Sequence, residues 1–143
     1  MSSVFTVSYP VRFADCDPAG IAFYPRLMEM GNNLVEEWFD RALDLSFRRM
    51  HLEGDTGVPT VHLEVDFRRP AQLGSTLEWT LQVIELGQTS VRLRLQARDA
   101  AGRLALEIRP RLVLCDMTGD EPISRVIPDL LRARMQEFTE TSG

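Results

Sequence analysis

The chain has 143 residues, a net charge of −5, and 16 cationic side chains that are all arginine. A domain of this length buries about 68–70% of its unfolded surface, so we expect one domain over residues 1–143, with its core between about residues 5 and 138. An acidic chain without a basic run argues against nucleic acid as a partner. The N terminus has no signal pattern and no stretch of about 18 apolar residues occurs, so we expect a cytoplasmic protein that contacts no membrane.

Hydrophobic periodicity predicts one strand, one long helix and then four strands. Residues 5–13 form the first strand, and apolar side chains at intervals of three and four predict a helix over residues 26–44. Residues 46–57 form a connecting loop that can contain one helical turn. It leads to runs in which apolar and polar residues alternate, as they do in strands. These runs cover residues 61–68, 77–83, 91–97 and 104–115. A closing helix is predicted over residues 128–139, and we expect the tail at 139–143 to be disordered.

The order of these elements favours an α+β architecture, in which a helix covers the apolar face of an antiparallel sheet. Two irregularities are predicted within it. Gly31 interrupts the long helix, either because another element approaches closely there or because the helix tolerates it. Pro110 lies within the last strand, where its missing N–H predicts a bulge or a sheet edge.

Residues 15–25 read Asp-Cys-Asp-Pro-Ala-Gly-Ile-Ala-Phe-Tyr-Pro and place two carboxylates just before the predicted helix. A proline is tolerated at a helix start because the first N–H groups of a helix have no partner within it. Those N–H groups and the positive end of the helix dipole favour negative charge, such as the oxyanion that forms when a carbonyl is attacked. The stretch therefore predicts an active site in which a carboxylate lies beside a helix N terminus.

At these residues the sequence resembles the hotdog-fold thioesterases of the 4-hydroxybenzoyl-CoA thioesterase group, whose signature is D-x-D-P-A-G-I/H-x-x-[FWY]-Y-P. The resemblance continues through the strand end at residues 67–71 and covers roughly residues 5–138. It implies a hotdog fold, in which a five-stranded antiparallel sheet wraps around a long central helix and a C-terminal helix follows. It also implies a homodimer that pairs its edge strands, or a dimer of such dimers. The implied activity is hydrolysis of an acyl-CoA that carries a small aromatic or short acyl group. No metal and no bound cofactor are implied.

The resemblance assigns the catalytic roles to Asp17 and to the start of the helix. Asp17 occupies the position of the family's catalytic carboxylate, which either attacks the thioester carbonyl or acts as a general base on water. A structural alternative is that Asp17 only caps the turn ahead of Pro18. The backbone N–H of Tyr24 is implied to polarise the thioester oxygen. Phe23 stands beside it at the helix start, and Gly20 allows a tight turn near the ligand.

Other polar residues near and beyond the motif receive structural interpretations. Asp15 and Asp17 are two residues apart in an extended segment and are expected to point to opposite faces, so only one of them should reach the substrate. Asp15 is therefore interpreted as a structural or solvated acid. Cys16 is interpreted as a neutral packing thiol. Cys16 and Cys115 are too far apart for a redox pair and too few for a four-ligand zinc site. His62, on the polar face of its strand, is interpreted as an exposed or interface residue.

Substrate contacts are assigned along the helix and the strand that follows it. Asn32 stands where an aromatic-acyl member of the family has an acid that contacts a phenolic hydroxyl, and Thr60 lies where the family forms its acyl pocket. The phosphates of CoA need cations, and four strand arginines are available: Arg68, Arg69, Arg92 and Arg94. Arg68 and Arg69 are assigned to the substrate, and the alternative is that these arginines only form a solvated face of the sheet. Two other functions remain open, an acyl-carrier-protein thioesterase and a non-catalytic module that binds acyl thioesters.

Overall fold

A five-stranded antiparallel sheet with one long helix on its inner face organises the computed structural model, which describes residues 2–141. The strands are β1 (Phe5–Pro10), β2 (Thr56–Gly57), β3 (Thr60–Phe67), β4 (Thr76–Leu86), β5 (Ser90–Arg98), β6 (Leu104–Val113), β7 (Cys115–Asp116) and β8 (Ile123–Ser124). The helices are α1 (Tyr24–Glu37) and α2 (Asp129–Gln136). The predicted α+β architecture is confirmed. Within the described range, neither helix has the length and apolar character needed to cross a bilayer.

The main sheet has the strand order β1-β4-β5-β6-β3, and each neighbouring pair is antiparallel. Strands β4 and β5 bury alternate residues, which confirms the apolar faces predicted for them. The apolar residues of α1 recur every three or four positions and therefore share one side of the helix, which packs against this face of the sheet. The shared core includes Leu27, Met30, Leu34 and Val35 from the helix and Leu77, Trp79, Leu81, Leu93 and Leu95 from the sheet. Strands β2, β7 and β8 form a separate small sheet.

Gly31 lies where α1 packs most closely on the sheet. A Cβ atom at this position would stand 2.8 Å from Ile108 Cδ1 and 3.5 Å from Leu95 Cδ1. The first of these distances is shorter than a van der Waals contact. The glycine therefore permits close approach of helix and sheet, which is the first of the two explanations that the sequence left open.

Strand β3 lies at one edge of the main sheet and leaves its apolar side chains exposed. The exposed fractions are 54% for Val61, 46% for Leu63 and 52% for Phe67. The predicted alternation of apolar and polar residues is present in this strand, but one chain packs Val65 against the core and leaves the other three apolar side chains exposed. An open strand edge with exposed apolar side chains favours association with another chain.

The region before α1 differs from the prediction by a few residues. Strand β1 ends at Pro10, whose missing N–H cannot continue the ladder, instead of at residue 13. A single 3₁₀ turn over Phe13–Asp15 follows. Helix α1 begins at Tyr24, two residues earlier than predicted, because Pro25 occupies a position in the first turn where no N–H is required.

The end of α1 also differs from the prediction of one regular helix to residue 44. The regular helix ends at Glu37, and Trp38–Ala42 continue it as a wider π-helical turn. Trp38 and Phe39 are both fully buried, although they are adjacent in sequence. A second π-helical turn, Arg49–Glu53, lies within the connecting segment, for which the sequence allowed one helical turn.

Pro110 does not lie at a sheet edge, so this part of the prediction is wrong. Strand β6 runs between β5 and β3, and Pro110 pairs with Leu63 of β3. A register shift does occur nearby, between Thr60 and His62 of β3, where those residues oppose Leu112 and Arg111. The irregularity predicted for β6 is therefore found in the neighbouring strand.

The prediction of a disordered tail is wrong for the residues that follow α2. Thr139 forms a parallel bridge with Val83, and the Glu140 N–H donates to the Val83 carbonyl oxygen over 2.9 Å. Arg94 then donates from Nε and Nη2 to the two carboxylate oxygens of Glu140, over 2.9 and 3.2 Å. These contacts fix the tail to the sheet as far as Glu140. The last two positions of the predicted tail, 142 and 143, lie outside the described residues.

Candidate active site

Residues 15–23 form a loop that folds back on itself immediately before α1, and we call it the motif loop. The Phe23 N–H donates to the Asp15 carbonyl oxygen over 2.7 Å, and the Asp17 N–H donates to the Ile21 carbonyl oxygen over 3.0 Å. Gly20 closes the turn with a φ of +79°, in the left-handed region that favours glycine. The two ends of the sequence motif are therefore held together, and Gly20 has the turn role that was predicted.

A second segment, residues 70–73, holds the motif loop against the sheet. The Ala22 N–H donates to the Ala71 carbonyl oxygen over 2.7 Å, and the Leu73 N–H donates to the Gly20 carbonyl oxygen over 3.0 Å. Ile21 also forms a bridge with Gln72. Sequence reasoning included the preceding strand end only as a point of resemblance and missed this support.

The Asp17 carboxylate lies half-buried in the motif loop, and only one of its two oxygens accepts a hydrogen bond from the described residues. Oδ1 accepts the N–H of Ala19 over 2.9 Å, which is the turn-capping role that the sequence left as an alternative. Among residues 2–141, no donor reaches Oδ2 within hydrogen-bonding distance. One oxygen of Asp17 thus stabilises the turn while the other remains available to a ligand.

Asp15 and Cys16 have structural roles, as the sequence indicated. Asp15 Oδ2 accepts the N–H of Arg12 over 2.9 Å and so closes the 3₁₀ turn. The Cys16 thiol donates to the Arg12 carbonyl oxygen over 3.4 Å. Loss of solvent, followed by the charges of Asp15 and Asp17, raises the pKa of the Cys16 thiol. The raised pKa favours a neutral thiol over a nucleophilic thiolate.

The start of α1 presents a backbone donor that the protein does not use. The N-cap residue Phe23 makes no capping bond from its side chain, and Pro25 has no N–H. Within the described part of the chain, the N–H of Tyr24 has no acceptor. The Tyr24 ring packs edge-on against the Phe23 ring at 5.6 Å and the Phe67 ring at 6.2 Å between centroids. The N–H at the helix start is thus a backbone donor that a ligand can use, and the ring itself stays 59% exposed.

Asn32 and Thr60 meet in a second part of the candidate site, an open cavity between α1 and the sheet. The other side chains that line it are apolar and include Met28, Val35, Phe47, Leu63, Ile108 and Pro110. An apolar wall with a few polar groups is typical of a site for a small organic group. The two residues that the resemblance assigns to the acyl pocket are therefore brought together.

The cavity and the predicted catalytic groups do not coincide within one chain. Neither Asp17 nor Tyr24 lines the cavity, and neither do Gly20 and Phe23. Asn32 is eight residues after Tyr24 along α1, which is about 12 Å at 1.5 Å per residue. The structure thus divides the predicted site residues into a group at the helix start and a group at the cavity.

The four strand arginines considered for CoA phosphates, of which Arg68 and Arg69 were assigned to the substrate, differ in how far the protein already pairs them. Arg94 is held by Glu107 at 3.0 Å and by Glu140 at 2.9 Å, so its charge is already paired. Arg92 pairs with Glu85 at 3.5 Å. Within residues 2–141, Arg68 and Arg69 have no ion-pair partner. They remain the cations of this set that are available to a ligand.

His62 lies on the outer face of β3, away from both groups of site residues. Its Nε2 lies 3.3 Å from Glu64 Oε1, and the side chain is exposed. Hydrogen bonds from Arg109 and then from His62 lower the pKa of Glu64. This arrangement agrees with the prediction of an exposed or interface residue.

Two relatives with similar sequences carry the same name, 1,4-dihydroxy-2-naphthoyl-CoA hydrolase. The protein from Prochlorococcus marinus is 31% identical over 121 residues, which cover 75% of this chain and 77% of that protein. The protein from Synechococcus elongatus is 32% identical over 84 residues, or 58% of this chain. The matched segment spans only 61% of the Synechococcus protein.

A solved structure of a 4-hydroxybenzoyl-CoA thioesterase variant in complex with 4-hydroxybenzoyl-CoA has the same fold. Its TM-score is 0.85 at 20% identity, and the superposition covers 92% of this chain and 98% of that one. The model of the Thioesterase-like superfamily matches residues 11–138 of this chain. The hotdog fold and the resemblance predicted from the motif are thus confirmed, and the protein belongs to the Thioesterase-like superfamily.

Proposed function

We propose that the protein hydrolyses an acyl-CoA thioester with a small aromatic or short acyl group. The superfamily match and the relatives named as CoA hydrolases support this activity. The observation that carries the proposal is the motif loop. It leaves one oxygen of Asp17 without a partner, and it leads directly into a helix start where the Tyr24 N–H has no acceptor within residues 2–141.

These two groups match the needs of thioester hydrolysis. The Asp17 carboxylate either attacks the thioester carbonyl carbon or removes a proton from the attacking water. In both cases negative charge develops on the carbonyl oxygen, where the Tyr24 N–H and the helix dipole stabilise it. One such donor contributes about 2.7–4 kcal/mol to transition-state stabilisation in acyl-transfer enzymes. The products are the free acid and CoA.

Pairing of two β3 strands would complete this site in a homodimer. Within one chain, the Thr60 end of β3 lies at the cavity, whereas Phe67 contacts the ring of Tyr24 at the helix start. Two copies of β3 related by a two-fold axis run antiparallel, so the Thr60 end of one copy lies beside the Phe67 end of the other. The helix start of one chain would then face the cavity of its partner.

The cavity wall suits a neutral acyl group. Charged side chains are absent from its lining within the described residues, and its polar side chains are Asn32 and Thr60. An apolar wall with one amide and one hydroxyl favours an aromatic ring that carries few polar substituents. A free carboxylate on the acyl group would be disfavoured because no cation in the wall pairs with it.

Thiol release from benzoyl-, phenylacetyl-, acetyl- and octanoyl-CoA tests the proposal, with the wild type run beside Asp17→Asn. Asparagine keeps an oxygen that can accept the Ala19 N–H but removes the negative charge, so the turn is retained and the chemistry is not. We expect kcat to fall by at least about 100-fold. Asp15→Asn is the matched control, with the same change of charge two residues away, and should keep most of the activity.

Two outcomes would contradict the proposal. A folded Asp17→Asn protein with wild-type kcat would leave Asp17 with only its turn-capping role. A folded wild-type protein that releases no thiol from any of the four substrates would refute acyl-CoA hydrolysis and favour a carrier-protein substrate or a binding module.

A further inference from the structure

We propose that Phe47 limits the size of the acyl group and restricts the substrate to thioesters whose aromatic acyl part is a single ring. This inference rests on the proposed function and narrows its acyl class. Phe47 lies in the segment between α1 and β2, and it is the largest side chain in the lining of the cavity.

The cavity has about the volume that one aromatic ring needs. The space within its lining is about 180 Å³, and an apolar cavity of about 150 Å³ in an engineered protein binds benzene. A second fused ring requires more space than this, so it enters only if a wall of the cavity yields. The size limit therefore depends on which walls are fixed.

The sheet and the helix form two walls that close packing holds in place. Leu95, Ile108 and Leu112 line the sheet side and are 1%, 2% and 3% exposed. On the helix side, a Cβ atom at Gly31 would stand 2.8 Å from Ile108 Cδ1, so helix and sheet are already in direct contact there. Neither wall can retreat without opening the packed core.

The third wall is the ring of Phe47, which is held from behind by other rings. Its centroid lies 5.4 Å from that of Phe39 and 6.1 Å from that of His51. Phe39 is fully buried in the core, so the Phe47 ring has no free space to turn into on that side. The size of the Phe47 side chain, rather than its rotamer, thus limits the cavity.

The backbone that carries Phe47 is also fixed. Asp44 and Asp55, on either side of the helical turn, have φ values of +53° and +47°, in the left-handed region that aspartate adopts more readily than most residues. Arg49 Nη1 donates to the Asp44 carbonyl oxygen over 2.7 Å, and Met50, 1% exposed, anchors the turn in the core. These contacts hold Phe47 in one place against the cavity.

Hydrolysis of benzoyl-CoA and 2-naphthoyl-CoA tests the proposal, because the two substrates differ by one fused ring. We expect the wild type to favour benzoyl-CoA in kcat/KM by at least about tenfold. Phe47→Ala should raise the ratio of kcat/KM for 2-naphthoyl-CoA to that for benzoyl-CoA by at least about tenfold. Phe47→Leu should give an intermediate ratio, and it carries the test if the alanine variant does not fold.

Phe5→Ala is the matched control. Phe5 is also partly buried against the core, but it lies on β1, at the opposite edge of the sheet from β3, and does not line the cavity. The same truncation there should leave the ratio unchanged. If Phe47 only supported the fold, its truncation would lower kcat/KM for both substrates by the same factor.

Failure of the size limit and failure of the proposed function give different results. A wild type that hydrolyses both substrates equally well, or an unchanged ratio in the folded Phe47 variants, would overturn the size limit and leave thioester hydrolysis intact. If the wild type hydrolyses neither substrate, calorimetric titration with the thioethers S-benzyl-CoA and S-(2-naphthylmethyl)-CoA replaces kinetics. A gain in affinity of Phe47→Ala for the naphthyl thioether alone would then support the size limit without the activity. Equal changes for both thioethers, or no binding of either, would overturn it.

Discussion

Leu63→Asp should prevent the self-association that we propose through β3. The Leu63 side chain is 46% exposed in one chain and lies at the centre of the strand. Burying the exposed half of a leucine is worth about 1 kcal/mol, or about 2 kcal/mol for both copies in a dimer. Placing two carboxylates in the same interface costs at least about 3 kcal/mol more. The total of about 5 kcal/mol weakens the dimer more than a thousandfold.

Analytical ultracentrifugation over a range of protein concentrations measures this effect directly. The wild type should sediment as a dimer or a larger assembly, and Leu63→Asp should sediment as a monomer at the same concentration. Val126→Asp is the control, because Val126 is 64% exposed but lies outside the main sheet. A Leu63→Asp protein that dimerises as tightly as the wild type would refute pairing through the β3 edge.

Three further predictions concern the tail, the acid limb of stability and the cavity. Glu140→Gln removes the charge paired with Arg94 and should lower Tm by about 3 °C in a calorimetric scan, as expected for a partly buried pair worth about 1 kcal/mol. A hydrogen bond from the Arg103 backbone lowers the pKa of Asp99, and the Arg103 side chain lowers it further. The ionised Asp99 therefore stabilises the folded protein above about pH 4, and this stabilisation is lost as the pH falls. Asp99→Asn should therefore show a smaller fall in Tm between neutral and acidic pH than the wild type. Asn32→Asp should raise the KM for benzoyl-CoA about tenfold at neutral pH, because it places a carboxylate beside an apolar cavity wall.

The elements with strong local patterns were predictable from the sequence. Strands β4 and β5 follow their alternation closely, because both lie inside the sheet and bury one full face against α1. The motif loop was also predictable in outline, since Gly20 and the proline at position 25 specify a turn and a helix start through local backbone chemistry alone.

The elements that depend on distant contacts were not predictable. The tail was expected to be disordered, yet Glu140 binds Arg94 across 46 positions of the chain. Hydrophobic periodicity reports only on residues that are close in the sequence, so it cannot indicate such a pair. The π-helical turn at Trp38–Ala42 was also not predicted; it buries two adjacent aromatic residues, Trp38 and Phe39, in the core, which a period of three to four residues does not indicate.

The candidate site depends both on local sequence patterns and on contacts between residues that are distant in the chain. This explains why its two halves lie apart in one chain. The motif fixes Asp17 and Tyr24 through neighbouring residues, whereas the cavity forms where Asn32 of the helix meets Thr60 of the edge strand. The alternation in β3 predicts a buried apolar face, but most of that face stays exposed in the single chain. In the dimer that we propose, a second copy of β3 would cover the apolar side chains that one chain leaves exposed. The same pairing would bring the helix start of one chain to the cavity of the other.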